Sequence, residues 1–279
     1  MNQQHASAPA VPKAWTKWFL GASLIAAIGG VIGLWLHGAI PQDPHYHCFA
    51  DGRAWLGIPN FADVMSNLPF VVFGVMGLVW VFTKAVRLAL AETERAAWAI
   101  FFVGVFLTGF GSGYYHWAPS NATLVWDRIP MAISFAGLVA ALVADRLSLK
   151  AAAWLLMPLA AAGVASVFYW DYTERAGRGD LRPYAIVQFA PLVMIPSVAV
   201  AFKGRWIRTG TLMHALAWYV AAKVLEALDH QVFDLLTVNG IALVSGHSLK
   251  HIAASIGPLV ILLGLKRAVA HPVSDQPSR

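Results

Sequence analysis

Apolar residues run through this chain in blocks of roughly twenty, parted by short polar stretches. About 20 apolar residues is the length at which a helix crosses a bilayer with every backbone polar group satisfied internally. The blocks predict eight spans: about Trp15–Leu36, Ala62–Thr83, Ala96–His116, Ile129–Ala144, Ala151–Trp170, Tyr184–Phe202, Leu212–Leu228 and Ser245–Leu265. The expected fold class is all-α, a polytopic membrane helix bundle. Residues 1–14 are read as a flexible tail, 15–36 as a first helix apart from the rest, 37–268 as the core with its preceding loop, and 269–279 as a second flexible tail. Lys17 ahead of an apolar block also suits a signal peptide. That block is long for one, however, and no small-residue cleavage pattern follows Leu36-His37-Gly38, so a retained helix is expected.

Composition agrees. Hydrophobic residues make up 58% of the 279 and charged residues only 12%, against about 25% charged in soluble domains. The single cysteine, Cys48, excludes an intrachain disulfide. The formal charge of +6 does not indicate nucleic-acid binding, because the bases are scattered at the ends of apolar blocks. They report topology instead. With eight crossings, the segments on the side of the termini hold thirteen Lys and Arg residues, and the opposite loops hold five: Arg53, Arg128, Arg175, Arg178 and Arg182. Lysine and arginine favour the cytoplasmic side, so both termini are expected there.

The candidate chemistry lies in Gly246-His247-Ser248-Leu249-Lys250-His251. Imidazoles four residues apart on a helix share a face and can point at one ion. Zinc suits imidazole, and takes three protein ligands when a position stays free for water. The third candidate is His116, at the end of the third span. Under the predicted topology His116, Asp127, Asp63, Ser66, Asn67, His247 and His251 all fall at one depth, on the non-cytoplasmic side. Ionisable groups in hydrocarbon are costly unless paired, hydrated or metal-bound, so such a gathering points to a site. Ser112 shares a helix face with His116, and Asp127 opens the fourth span after a loop from Trp117 to Trp126. Asp127 is the candidate general base or partner of a ligand or water, and Ser112 a donor to water or a developing oxyanion. On ligand type alone the metal could equally be iron, cobalt or nickel.

In this order and spacing, Asp63…Ser66-Asn67, Ser112-x-x-x-His116, Asp127 and His247-x-x-x-His251 resemble the motif set of the alkaline ceramidase family. Those enzymes belong to a superfamily of heptahelical membrane hydrolases that includes the adiponectin/progestin-type receptors. The likeness covers about Asp51 to Leu265. It implies a seven-helix core with Trp15–Leu36 added in front, and Zn2+ on His116, His247 and His251. It implies Ser112 and Asp127 as catalytic partners of the zinc-bound water, and hydrolysis of a ceramide-like N-acyl lipid to a fatty acid and a sphingoid-type base. The acidic Ca2+-binding segment of the eukaryotic members is reduced here to Asp51, Asn60 and Asp63. With Ser66 and Asn67 these are read as calcium ligands or as outer partners of the histidines. Lys250 departs from the family, standing where a large apolar or aromatic residue suits a lipid pocket. Short loops, a cytoplasmic N-terminus and no eukaryotic sorting signal suggest a bacterial inner-membrane protein.

Lys223, Glu226, Asp229 and His230 lie at the outer end of the seventh span. They are read as a mutually neutralising cluster between helices, or else as a polar cavity wall that orients a head group. The loop from Asp171 to Arg182 is expected to be solvated or to touch phospholipid head groups. Expected partners are the bilayer and a membrane lipid substrate, with no nucleic acid. Two other functions compete with a hydrolase. One is a receptor or sensor that holds zinc without turnover. The other is a proton-coupled transporter, which ranks last because no inverted repeat is evident.

Overall fold

The computed structural model describes residues 14–271. Its helices are α1 (Ala14–His37), α2 (Phe61–Met65), α3 (Leu68–Val81), α4 (Lys84–Ala89), α5 (Glu92–Trp117), α6 (Asn121–Arg146), α7 (Leu149–Arg175), α8 (Arg182–Ala201), α9 (Thr209–Ala227), α10 (Asp229–Leu235) and α11 (Gly246–Ala270). A two-stranded hairpin of β1 (Thr237–Val238) and β2 (Ile241–Ala242) lies between α10 and α11. Asn239 and Gly240 turn it with positive φ at both positions, as the tightest hairpin turns require. The expected tails lie outside the described residues, except that Ala14 begins α1 and α11 continues to Ala270.

Seven helices, with α2 and α3 counted as one span over Phe61–Val81, are long and apolar enough to cross a membrane. The chain is an all-α polytopic bundle. The seventh expected span is present as α9, nineteen residues long, but it carries Lys223 and Glu226 and is not among the seven. α1 is apolar all round and packs mainly on α8, leaving Trp18 82% and Leu36 83% exposed. That is the surface of a helix whose outer face meets lipid.

Three departures from the expected spans bear on the site. The second span breaks at Ser66–Asn67, because Pro69 in the first turn of α3 cannot continue the hydrogen-bond ladder of α2. The fourth begins at Asn121, where the Ser120 hydroxyl caps the Thr123 amide at 3.2 Å. Asp127 therefore stands inside α6 rather than at its mouth. Third, the polar stretch after the fifth span remains helical to Arg175.

Close approaches hold the bundle at the Ser112 end. Pro130 lacks an N–H, so the Trp126 carbonyl one turn earlier has no helical donor. Gly111 lies against that carbonyl: a Cβ there would come within 2.0 Å of the oxygen. The main apolar core is built from Trp98, Phe101, Phe102, Leu142, Leu262 and Leu265. Trp98 lies eighteen residues before His116, or about 27 Å along α5. At that far end Arg146 donates to the carbonyls of Ala199, Phe202 and Ile207, and Asp145 accepts from the amides of Arg205 and Trp206. These bonds fix the α8–α9 connection to α6.

Candidate metal centre

Three imidazoles meet where the last turn of α5, the first turns of α11 and the α2–α3 break converge. His247 and His251 are one turn apart on α11, and His116 approaches from α5. The ring centroids are 4.8 Å apart for His116 and His247, 4.7 Å for His116 and His251, and 4.9 Å for His247 and His251. All three rings are buried, and one nitrogen from each lies within 4.8 Å of the others, so the group could hold a metal ion.

The donor set fits such an ion. Among the described residues, neither nitrogen of His116 has a hydrogen-bond partner, nor does Nε2 of His251. Buried polar atoms without partners cost about 1–3 kcal/mol each. A cation bound through one nitrogen of each ring would satisfy Nε2 of His251 and one of the two on His116, and neutral imidazole is a common metal ligand.

The residues behind the rings fix their orientation. Ser66 donates from Oγ to the Asp63 carbonyl at 3.0 Å, so its oxygen accepts from Nδ1–H of His251 at 2.8 Å. His251 thus presents an unprotonated Nε2 to the cluster. Asn67 donates to the same Asp63 carbonyl at 2.7 Å, and Asn60 donates to the His116 carbonyl at 2.8 Å. The buried Asp63 carboxylate accepts from Ser248 Oγ at 2.5 Å and from Ser245 Oγ at 3.2 Å. Ser245 also caps α11 by accepting the Ser248 amide at 3.0 Å. One carboxylate therefore ties the start of α11 to α2.

The loop after α1 folds over the histidines. The Phe49 ring lies 4.5 Å from the His116 ring and 4.6 Å from the His247 ring. Asp229 accepts from the Ala50 amide at 2.9 Å with one carboxylate oxygen and from the His247 amide at 2.7 Å with the other. It is a hinge pin between loop and helix. Gly246 permits this contact, since a Cβ there would come within 2.7 Å of the Asp229 Cα.

Beside the histidines lies a cavity. Ser112, Asp127, Arg128, Glu226, Lys250 and His251 line its polar part, while Phe101, Leu138, Ile195, Leu212 and Ile261 line its apolar part. From His251 to Ile261 is ten residues of α11, a depth of about 15 Å.

The expected site residues divide accordingly. His116, His247 and His251 come together, with Ser112 and Asp127 on the adjoining cavity wall. Asn60, Asp63, Ser66 and Asn67 support the rings and the helix ends rather than surrounding one point of their own. Asp51 is engaged by Arg53, which donates to it from Nε at 2.7 Å and Nη2 at 2.6 Å. Burial pushes the Asp51 carboxyl up, and these bonds outweigh it and hold the group below the usual carboxylate range. Among the described residues, the three histidines are the only grouping of His, Cys, Asp and Glu arranged to hold an ion.

At the end of α9, Glu226 bridges Lys223 and Lys250 (3.2 Å to the latter), and all three line the cavity, so neutralising cluster and cavity wall coexist. Asp229 and His230 do not belong to that wall. Both oxygens of Asp229 are engaged by backbone amides, because the helix breaks at Leu228 and α10 starts on a new axis. His230 is exposed, with its ring 3.3 Å from the Cys48 carbonyl. The loop after α7 is not simply solvated either: Asp180 is buried against Arg182. Phe49, Tyr46, Gln42 and Arg128 escaped sequence reasoning. The first three sit in an aperiodic loop, and Arg128 counts in the sequence only as one of the bases that report topology.

No family model matches the chain, and no curated protein matches its sequence.

Proposed function

We propose that this chain is a zinc-dependent membrane hydrolase that cleaves the amide bond of ceramide-like N-acyl lipids, releasing a fatty acid and an amine. The observation that carries the reading is the junction of three buried imidazoles, among them His116 and His251 with ring nitrogens that no described residue satisfies, with a cavity that is polar beside them and apolar beyond. His116, His247 and His251 would hold the metal. Bound zinc supplies Lewis acidity that activates water near neutral pH and polarises an acyl oxygen.

The remaining chemistry belongs to this chain's own residues. Asp127 takes the proton from the attacking water and returns it to the leaving nitrogen as the C–N bond breaks. Ser112 donates its hydroxyl hydrogen to the acyl oxygen as negative charge gathers there. Phe101, Leu138 and Ile195 receive the acyl chain, whose burial contributes about 0.8 kcal/mol per CH2. Phe49 limits access of bulk water to the histidines from the loop side.

The charge bias of the connecting segments supports both termini in the cytoplasm, with the histidines toward the outer leaflet of a bacterial inner membrane. The test is incubation of the purified, zinc-loaded protein with N-acyl lipids, followed by mass spectrometry. Fatty acid release that is lost in His116→Ala, His247→Ala and His251→Ala supports the enzyme. Turnover that persists in metal-free protein overturns it, and bound zinc without any turnover favours the receptor or sensor.

A further inference from the structure

Arg128 is 5% exposed and makes no salt bridge with any of the described residues. Its guanidinium lies over three rings, 4.1 Å from that of Trp170, 4.9 Å from that of Tyr184 and 5.7 Å from that of Tyr46. Nη2 donates to Gln42 Oε1 at 2.6 Å, but the buried Nη1 has no partner among the described residues. Aromatic faces stabilise such a cation only partly, and they leave its N–H groups unsatisfied. Arg128, Tyr46 and Tyr184 line the same cavity as His251 and Asp127.

The rest of that wall does not supply the missing anion. Glu226 already serves both Lys223 and Lys250. Asp127 adjoins Arg128 in sequence but makes no ion pair with it within 4.0 Å. The polar wall thus sets three cations against two carboxylates, and one planar, two-pronged cation is held ready without a counter-ion.

We infer that the cavity takes an acyl lipid whose amine portion carries an anionic group, a carboxylate or a phosphate, and that Arg128 binds that group through Nη1. The inference rests on the hydrolase reading for the placement of the acyl chain, and it narrows the substrate from neutral ceramides to anionic N-acyl lipids. Guanidinium is the side chain best matched to carboxylate and phosphate oxygens. Lys250, with Glu226 and Lys223 behind it, adds positive potential to the same wall.

The test uses ligands that cannot be hydrolysed, so it does not depend on turnover. Binding of hexadecyloxyacetate, 2-hexadecyloxyethyl phosphate and neutral 2-hexadecyloxyethanol to the full-length, metal-loaded protein is measured by calorimetry in a non-ionic detergent. A charge-assisted hydrogen bond predicts that at least one anionic ligand binds about tenfold or more tightly than the alcohol. Whichever anion is preferred identifies the source, carboxylate or phosphate. Arg128→Gln should cut the anionic-to-neutral affinity ratio about tenfold, leaving only what Lys250 and the metal contribute, whereas Arg128→Lys, which keeps the charge, should retain part of the Arg128 share. Equal affinities in the wild type overturn the inference, as does a preference that Arg128→Gln leaves undiminished. The wild-type comparison stands alone if Arg128→Gln does not fold. Assays on the matching amides separate the two readings: anion preference without hydrolysis sinks the hydrolase, whereas hydrolysis with no anion preference sinks only this inference.

Discussion

Ser66 Oγ lies 2.8 Å from Nδ1 of His251, and its own hydrogen is given to the Asp63 carbonyl. With its hydrogen on that carbonyl, the serine oxygen accepts from the ring at Nδ1 and leaves Nε2 free to bind a metal. It also assigns a purpose to the break between α2 and α3, which turns Ser66 and Asn67 toward α11. Ser66→Ala should therefore weaken metal binding about 10–100-fold, as the loss of such outer partners typically does. Competition with a chelator measures it. An unchanged affinity would mean that the ring is held by packing alone.

Gly111 is predicted to be intolerant of a side chain. A methyl group there would overlap the Trp126 carbonyl, so Gly111→Ala should drive α5 and α6 apart beside Ser112 and Asp127. Overpacking of this kind costs about 1–3 kcal/mol. Thermal unfolding in detergent should register the loss, and turnover should fall further than stability, because both catalytic candidates flank the contact.

Cys48 is the only cysteine and it is exposed, in the loop that covers the histidines. If that end faces outward, a membrane-impermeant maleimide labels Cys48 in intact right-side-out spheroplasts. In a Cys48→Ser background, Lys150→Cys should be labelled only after lysis. The opposite pattern would invert the orientation.

The loop between α7 and α8 makes a pH-dependent contribution. Arg182 donates to Asp180 from Nε and Nη2 at 2.8 Å each and also stacks 4.6 Å from the Trp35 ring, joining α1 to the bundle. The Arg182 hydrogen bonds lower the Asp180 carboxyl from 3.8 to about 2. A depressed acid stabilises the fold above its unfolded value, and that stabilisation fades as pH falls through the folded one. Wild type should thus unfold a few degrees above Asp180→Asn at neutral pH. The gap should close between pH 3.8 and about 2. A constant gap across that range would place the effect in packing rather than charge.

Much of the site is legible in the sequence, for physical reasons. His247 and His251 lie at helical spacing, and apolar blocks of bilayer length put His116 at the same depth. Helix ends are less legible. Ser120, Asn121 and Thr123 look like a loop by polarity, yet a serine cap starts α6 there and carries Asp127 inside the helix. Asp229 resembles a head-group ligand in sequence because nothing local reveals that two backbone amides, one 179 residues away, occupy its oxygens. Phe49 and Arg128 depend on a loop folding back across the bundle, which leaves no periodic trace.

Metal content tests the central claim most directly. Protein purified without chelators should carry about one zinc per chain by inductively coupled plasma mass spectrometry, as a three-histidine site requires. His116→Ala should lose that ion while eluting as a folded monodisperse species. A folded wild-type chain that takes up no divalent metal, or a His116→Ala chain that keeps its full complement, would contradict the account.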